Sequence, residues 1–340
     1  MKQDIKAREG DLIETLDGNI FDVKGIIHPR RKVVAFIRYV PDPNGDRKRD
    51  EVTYKKVYAL KERYALLKKF FPSYLVYDPV FNEHLCEVPL DTIKHHYRPV
   101  DLLQKLRHQD RLDEVESQAL QFIKILKESA NVPWSKLGIS GSILVRLHTP
   151  ASDIDPIVYG SETCYKVYSA LGSLLESKES PVKPYGLKEL KELFDFRSKD
   201  TAMRFEDFVR TESRKLLQGK FMGRDYFVRF VKDWNEIEEK YGTILYRPEG
   251  YAKIKATVVD DSKAIFTPCC YKIGNLEILE GTRIEAIEEI VSFRGRFCEQ
   301  AKKGETVIAQ GKVEKLQEMG GREHYRLLLG NKVSDHMILA

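Results

Sequence analysis

The sequence predicts a mixed α+β and α/β protein of three regions, and three observations lead to that prediction. The chain has 340 residues, which is enough for two or three domains with buried cores. Its residues are 42% apolar and 10% aromatic, as in ordered globular proteins. Segments with strand-like and helix-like periodicity follow one another along the chain, separated by Gly, Pro and Asp turns.

Residues 1–107 are predicted to form a small basic α+β domain. Strand patterns occur in DLIETLDG, NIFDVKGIIH and KVVAFIRYV, and a helical stretch follows at residues 61–70. Four basic clusters lie in this region: HPRRK, DRKRDE, KERYALLKK and KHHYRP. Most charge runs form solvated faces, but Tyr58, Tyr64 and Tyr97 are interleaved with these and could stack on bases. The region therefore favours contact with RNA or another nucleic acid.

Residues 108–240 have the element order of an α/β domain. DRLDEVESQALQFIKILKESA places Val115, Ala119, Phe122, Ile123 and Leu126 at helical spacing. A short strand (KLGIS), a short helix (GSILVRL), a strand (DIDPIVYG) and a helix (TCYKVYSALGSLLESK) follow. Two more helical patterns and the strand pattern DYFVRFVK complete the region.

Residues 241–340 are predicted to be rich in β-strands. YAKIKATVV, AIFTPCCYKI, TRIEAIEEIVSFRG, TVIAQGKVEKL and HYRLLLG are strand-like and separated by turn residues. Short strands at this spacing are typical of a small β-barrel or sandwich.

Bulk properties narrow the class of protein. A net charge of +5 permits a polyanionic partner without requiring one. The five cysteines form no CxxC pair, so reduced thiols in a cytoplasmic protein are expected. The N-terminus is too charged for a signal peptide, and no apolar run reaches the roughly 18 residues of a membrane span. We therefore expect no membrane partner.

The chemistry is concentrated in GISGSILVRLHTPASDIDPIVY, which holds a Gly-Ser pair (Gly141 and Ser142) and an acid pair (Asp153 and Asp155). Residues i and i+2 of a strand share a face about 6.5 Å apart, so two such carboxylates could bind divalent cations together. A Gly-Ser turn that opens a helix could hold phosphate oxygens. A calcium-binding EF-hand loop is excluded, because Ile157 and Val158 stand where it needs a ligand and then Gly. The plain alternative is that Ser142 only caps a helix and the acids form a solvated turn.

These motifs resemble the nucleotidyltransferase superfamily that includes DNA polymerase beta. The segment Ser-Asp-Ile-Asp, residues 152–155, is similar to the corresponding segment of the minimal nucleotidyltransferases. The sequence as a whole resembles an archaeal group within this superfamily. The resemblance covers about the central third of the chain. It implies a central palm in residues 108–240, flanked by the N-terminal α+β domain and a C-terminal β-barrel-like domain in residues 241–340.

The resemblance also implies roles for particular residues. The acid pair would hold Mg²⁺ in a two-metal site, and Gly141 and Ser142 would bind the β- and γ-phosphates of a nucleoside triphosphate such as ATP. Arg146, one helical turn after Ser142, could neutralise pyrophosphate or be a plain surface residue. Pro156 lacks a ladder donor, so its strand should be at a sheet edge or irregular at that point.

Active members of the superfamily carry a third carboxylate on a later strand, as a metal ligand and a base. Asp225 in GRDYFVRFVK is the favoured residue, with Asp260 and Asp261 as alternatives. The predicted reaction moves a nucleoside monophosphate to an acceptor hydroxyl and releases pyrophosphate, with an RNA 3′ end favoured over a protein or a small molecule. The alternative is a non-catalytic nucleic-acid-binding protein with a degenerate palm.

Overall fold

The structure is a computed structural model that describes residues 5–340. Two compact units are present. The first contains residues up to 78 together with residues 84–183 and 217–241, and the second contains residues 79–83, 184–216 and 242–340. Each unit is therefore built from separate stretches of the chain.

The first unit combines strands and helices. Its strands are β1 Leu12–Thr15, β2 Ile20–Val23, β3 Lys32–Pro41, β4 Arg47–Arg49, β5 Val52–Lys56, β6 Leu75–Asp78, β7 Glu83–Pro89, β8 Ile93–Tyr97, β9 Leu137–Ile139, β10 Pro156–Tyr159, β11 Val182–Lys183, β12 Gln218–Phe221, β13 Arg224–Phe227 and β14 Arg229–Val231. Its α-helices are α1 Leu60–Phe70, α2 Pro99–His108, α3 Glu114–Ala130, α4 Gly141–Leu144 and α5 Ser161–Glu176. Short 3₁₀ helices occupy Pro72–Tyr74, Leu90–Thr92, Trp134–Lys136 and Trp234–Glu236.

The N-terminal sheet has the strand order β4-β5-β3-β2-β1-β8, and β7 joins β3 to β6. The pairings along this order, and the pairing of β7 with β3, are antiparallel. Apolar residues alternate along β3, so that Val33, Ala35 and Ile37 enter the core together with Phe21 and Leu67 of α1. This alternation is why the KVVAFIRYV pattern predicted a strand.

A three-stranded sheet of order β14-β10-β9 forms a second layer of this unit. Strand β10 is central, antiparallel to β9 and parallel to β14. Helix α3 begins at a capping box of Asp113 and Glu116 and ends at Asn131 in the left-handed conformation. The apolar face predicted for this helix is buried, which confirms the prediction. A small antiparallel sheet, β11-β12-β13, completes the unit.

The second unit contains α6 Leu187–Arg197 and α7 Phe205–Glu212, a 3₁₀ helix at Gly295–Phe297, and six strands. The strands are β15 Ile244–Asp260, β16 Cys269–Gly281, β17 Glu289–Ser292, β18 Thr306–Glu318, β19 Glu323–Leu329 and β20 His336–Leu339. Five of them form a closed ring of hydrogen-bonded neighbours, β15-β16-β17-β19-β18, because β18 also pairs with β15. One pair in the ring, β17 with β19, is parallel.

Together these elements confirm the prediction of a mixed α+β protein. Residues 241–340 are rich in strands, as expected. However, β16 begins only at Cys269, β17 covers only Glu289–Ser292 of TRIEAIEEIVSFRG, and β20 was not predicted. All five cysteines are free thiols. Among the residues that the structure describes, no helix is both long enough and apolar enough to cross a membrane.

Candidate active site

The acid pair lies just before the central strand β10 rather than inside it. Ile154 makes an isolated parallel bridge with Tyr226, and regular pairing with β14 resumes at Ile157. Pro156 stands between them and has no amide hydrogen, which interrupts the ladder. The strand is therefore central, not an edge, and the irregularity expected at Pro156 is present.

The Gly-Ser pair is held against the acid pair by backbone contacts. The Ser140 amide donates to the carbonyl of Asp155 at 2.9 Å, and the Ser140 hydroxyl donates to the carbonyl of Gly10 at 2.6 Å. Gly141 has a φ of 65°, and a Cβ atom built there would lie 1.9 Å from Oδ2 of Asp155. The Asp155 carboxylate therefore rests on backbone that only glycine leaves open.

Ser142 presents a buried hydroxyl that nothing in residues 5–340 satisfies. The residue is 2% exposed, and its Oγ has no hydrogen-bond partner there. Ser142 lies inside α4 and does not cap it, since Ser140 occupies the cap position. The helix-cap alternative is therefore wrong. Leaving a buried hydroxyl unpaired costs about 1–3 kcal/mol, which a ligand oxygen would recover.

The two carboxylates of the acid pair repel each other. Asp153 is exposed and Asp155 is half-buried. Burial, and then the neighbouring carboxylate of Asp153, raise the pKa of Asp155 to about 7, although Arg229, Lys56 and Arg38 act in the opposite direction. Two carboxylates in this setting favour a shared proton or a shared cation.

A cation stands beside the acid pair on the neighbouring strand. Arg229 of β14 is opposite Ile157 and forms an ion pair with Glu9. Glu9 is 1% exposed and also accepts a hydrogen bond from the Gly25 amide at 2.8 Å. The guanidinium of Arg229 is thus anchored by a buried carboxylate of the N-terminal segment.

The favoured third carboxylate, Asp225, lies on β13, and its backbone pairs with the acid-pair segment. The carbonyl of Asp225 accepts a hydrogen bond from the Ile154 amide at 2.9 Å. Its carboxylate is 52% exposed and is 3.0 Å from the ammonium of Lys220 on the adjacent strand. The DYFVRFVK pattern, predicted as one strand, is broken at Val228, whose amide donates to the carbonyl of Leu217 at 2.7 Å.

The alternative carboxylates belong to the second unit. Asp260 ends β15 and accepts a hydrogen bond from the Ser262 amide at 2.8 Å, and Asp261 follows it in the same turn. Such a hydrogen bond from a backbone amide to an Asp side chain is common in turns and explains these acids without a metal.

Arg146 does not share a helical face with Ser142, because α4 ends at Leu144 and Arg146 adopts a φ of 56°. Its guanidinium is exposed and lies 3.8 Å from Asp50. Arg47 donates to the carbonyl of Leu147 at 2.6 Å and so holds the chain just after this turn. A contact of Arg146 with pyrophosphate stays a prediction.

Sequence reasoning assigned no role to two further cations, Arg38 and Lys56. Both influence the pKa of Asp155, and they come from β3 and β5 of the N-terminal sheet. Arg38 is a charged residue among the apolar residues of a strand pattern. An isolated charge in such a pattern is a sequence signal that could have identified Arg38 as a candidate site residue.

A second acidic cluster has a structural explanation. Ligand atoms of Asp113, Glu116 and His148 lie within 4.8 Å of one another. Asp113 and Glu116 form the capping box of α3, and Nε2 of His148 lies 2.6 Å from the Asp113 carboxylate. Helix capping therefore accounts for the cluster.

Comparison with known proteins gives a relative. No family model and no solved structure matches the chain. Over 334 residues the chain is 33% identical to "Uncharacterized protein MJ1086" of Methanocaldococcus jannaschii, and the match covers 96% of each chain. This chain belongs to the same protein family as MJ1086.

Proposed function

We propose that this protein is a Mg²⁺-dependent nucleotidyltransferase that moves a nucleoside monophosphate from a triphosphate to an acceptor hydroxyl. One observation carries the proposal: the Asp155 carboxylate rests on Gly141, and the following residue, Ser142, has a buried hydroxyl without a hydrogen-bond partner among residues 5–340. A carboxylate for metal and a donor for phosphate are thereby placed side by side, which nucleotidyl transfer requires.

The surrounding elements are consistent with a nucleotidyltransferase palm. Strand β9 leads into the Gly-Ser pair and α4, the acid pair precedes β10, and α5 returns the chain toward β14. Strand β10 lies between an antiparallel and a parallel neighbour, so the acid pair directly precedes the central strand of the small sheet. We propose that β9, α4, β10, α5 and β14 form this palm.

The residues present fit a hard divalent cation. Asp153 and Asp155 would hold Mg²⁺, which prefers carboxylate and phosphate oxygens. Burial and the neighbouring carboxylate of Asp153 raise the pKa of Asp155, and a bound cation would stabilise its charged form. When bound, Mg²⁺ would neutralise charge on the triphosphate and on the attacking and leaving oxygens.

The chain's own residues would bind and orient the substrates. The Ser142 hydroxyl and the Gly141 amide would donate hydrogen bonds to phosphate oxygens of the triphosphate. The acceptor oxygen forms a bond to the α-phosphorus while the bond from that phosphorus to the bridging oxygen breaks and pyrophosphate leaves. Asp225 would take the proton of the acceptor hydroxyl once its carboxylate leaves Lys220. An RNA 3′ end is the preferred acceptor because of the basic clusters of the N-terminal region.

A second candidate function rests on the neighbourhood of the acid pair. Asp225 is paired with Lys220, and β14 brings the cation of Arg229 instead of a carboxylate. Those contacts favour a nucleic-acid-binding protein whose palm has lost catalysis.

Transfer assays with the four α-³²P-labelled triphosphates, against RNA and protein pools, test the proposal. We expect Mg²⁺-dependent labelling that Asp155→Asn reduces at least about a hundredfold, because one metal ligand is lost. Asp195→Asn is the control, since Asp195 is an exposed partner of Lys191 on α6. Full activity of Asp155→Asn would refute the enzyme. Salt-sensitive RNA binding without turnover would support the second candidate.

A further inference from the structure

Two cations of the N-terminal sheet have no carboxylate partner among the residues that the structure describes. Arg38 lies in β3 and Lys56 ends β5, where it pairs opposite Tyr39, and both side chains are half-buried. Within residues 5–340, no carboxylate oxygen lies within 4.0 Å of either cation, whereas the neighbouring Lys55 is paired with Glu62 at 2.9 Å. Among residues 5–340, no carboxylate therefore pairs directly with the charge of Arg38 or of Lys56.

Both cations also lie near the ring of Tyr58. The Lys56 ammonium lies 4.8 Å from the centre of the Tyr58 ring, and the Arg38 guanidinium lies 5.4 Å from the same ring. Burial and the nearby charge of Arg38 lower the pKa of Lys56, an effect that Asp153 partly offsets. Bringing two like charges together in a partly buried site is unfavourable unless an anion joins them.

Arg38 and Lys56 belong to the strands that pack beside the segment of the Gly-Ser pair and the acid pair. Tyr39 follows Arg38 in β3 and pairs with Lys56 of β5, and it packs in one buried cluster with Leu144 and Val145, which closely follow the Gly-Ser pair. Both cations also act electrostatically on the Asp155 carboxylate. Asp22 of β2 is also within electrostatic range of Arg38, but its carboxylate is paired with Lys24 at 2.7 Å. The positive charge of Arg38 and Lys56, which no described carboxylate pairs with, thus lies near the place that the proposed function gives to a metal-bound triphosphate.

We propose that Arg38 and Lys56 form a phosphate subsite that binds the polyphosphate tail of the nucleoside triphosphate. The inference rests on the proposed function and adds a second sheet to the substrate site. A triphosphate carries more charge than Mg²⁺ alone neutralises, so further cations from β3 and β5 would complete its binding. The half-exposed Tyr58 would keep both cations oriented toward the bound phosphate.

Calorimetric titration of the full chain with inorganic tripolyphosphate, in the presence of Mg²⁺, tests this subsite. We expect Arg38→Gln and Lys56→Gln each to weaken binding about tenfold or more, since each removes a charge-assisted contact. Lys55→Gln is the matched control, because Lys55 is exposed on the same strand and is paired with Glu62. Binding of a nucleoside monophosphate should change by less than about threefold in all three variants.

Two outcomes separate this inference from the proposed function. If the unaltered chain binds tripolyphosphate with Mg²⁺ and Asp155→Asn weakens that binding, but the Arg38 and Lys56 variants bind normally, the subsite is wrong and the proposed function stands. If the unaltered chain does not bind tripolyphosphate, both fail. Thermal unfolding without ligand tests whether the variants are folded. Removing one of two neighbouring cations should leave the unfolding temperature unchanged or raise it.

Discussion

Gly141 connects the two parts of the candidate site, the Gly-Ser pair and the acid pair. Its φ of 65° disfavours any side chain, and the Asp155 carboxylate occupies the place of a Cβ atom. The sequence motif identified Gly141 as part of a phosphate-binding turn. The contact that makes glycine necessary there, however, involves a residue 14 positions later in the chain.

Replacement of Gly141 by alanine should therefore be costly. Gly223→Ala is a matched control, because Gly223 has a φ of 85° and no atom lies within 4 Å of its missing Cβ. We expect the control to lose about 1–2 kcal/mol of unfolding free energy from the backbone alone. Gly141→Ala should lose about 1–3 kcal/mol more, because the carboxylate must move. Urea unfolding measures the free energy of unfolding of both variants. Equal losses would show that the contact between Gly141 and Asp155 does not contribute to the cost of the Gly141 substitution.

At the scale of elements, local patterns predicted some boundaries well and others poorly. Helix α3 carries a strong apolar period and a capping box, and its buried face is the predicted one. Helix α4 was expected to extend through GSILVRL but ends at Leu144. The DYFVRFVK pattern is divided between β13 and β14 because the two parts pair with different strands. Pairing partners far away in sequence decide such boundaries, and periodicity contains no information about them.

The connection between β2 and β3 contains a histidine that should make stability depend on pH. Nε2 of His28 is 3.0 Å from the carbonyl of Ala7, and its Nδ1 accepts a hydrogen bond from the Val34 amide at 3.2 Å. These two bonds require the neutral ring. Burial lowers the pKa of His28 to about 4, against 6.5 for an exposed histidine, although the bond to Ala7 acts in the opposite direction.

The sign of the effect follows from proton uptake. Above pH 6.5 neither state is protonated at His28 and its contribution to stability is complete. As pH falls toward 4, the unfolded chain takes up a proton that the folded chain does not, so the free energy of unfolding decreases, by up to about 3 kcal/mol. Between about pH 7.5 and 4.5 we expect this loss to be about 2 kcal/mol smaller in His28→Gln. His108→Gln, at the exposed end of α2, should keep the original pH dependence. An unchanged slope in His28→Gln would contradict the assignment.

At the scale of the whole molecule, each compact unit gathers distant stretches of the chain. In the second unit, residues 184–216 contribute Asp200, which forms ion pairs with Arg294 and Arg296. Lys215, which is 5% exposed, donates to the carbonyl of Arg296 at 2.7 Å. The turn after β17, at residues 294–296, therefore depends on partners that precede it by 81 to 96 positions in the chain.

The 242–340 fragment should consequently not fold cooperatively when expressed alone. Its Arg294 and Arg296 would lack Asp200, and unpaired, partly buried charges cost several kcal/mol. Circular dichroism during heating would show a broad transition, and a sharp transition at the temperature of the full chain would contradict this prediction. Within the full chain, Asp200→Ala should lower the unfolding temperature more than Asp195→Ala, which alters an exposed carboxylate of α6.

Sequence patterns alone were sufficient to predict the mixed fold class, the strands of the C-terminal region and the proximity of the Gly-Ser pair to the acid pair. All three depend on short-range periodicity or on residues close together in the chain. Tertiary structure alone revealed that Asp155 rests on Gly141 and that the buried Ser142 hydroxyl is unsatisfied among the described residues. It also revealed three cations that act electrostatically on Asp155, namely Arg38, Lys56 and Arg229. Each of these cations lies more than 70 positions from Asp155 in the chain. Strand pairing brings these cations close to Asp155. The energy of such pairing depends on burial and charge in the folded protein, which no local sequence pattern contains.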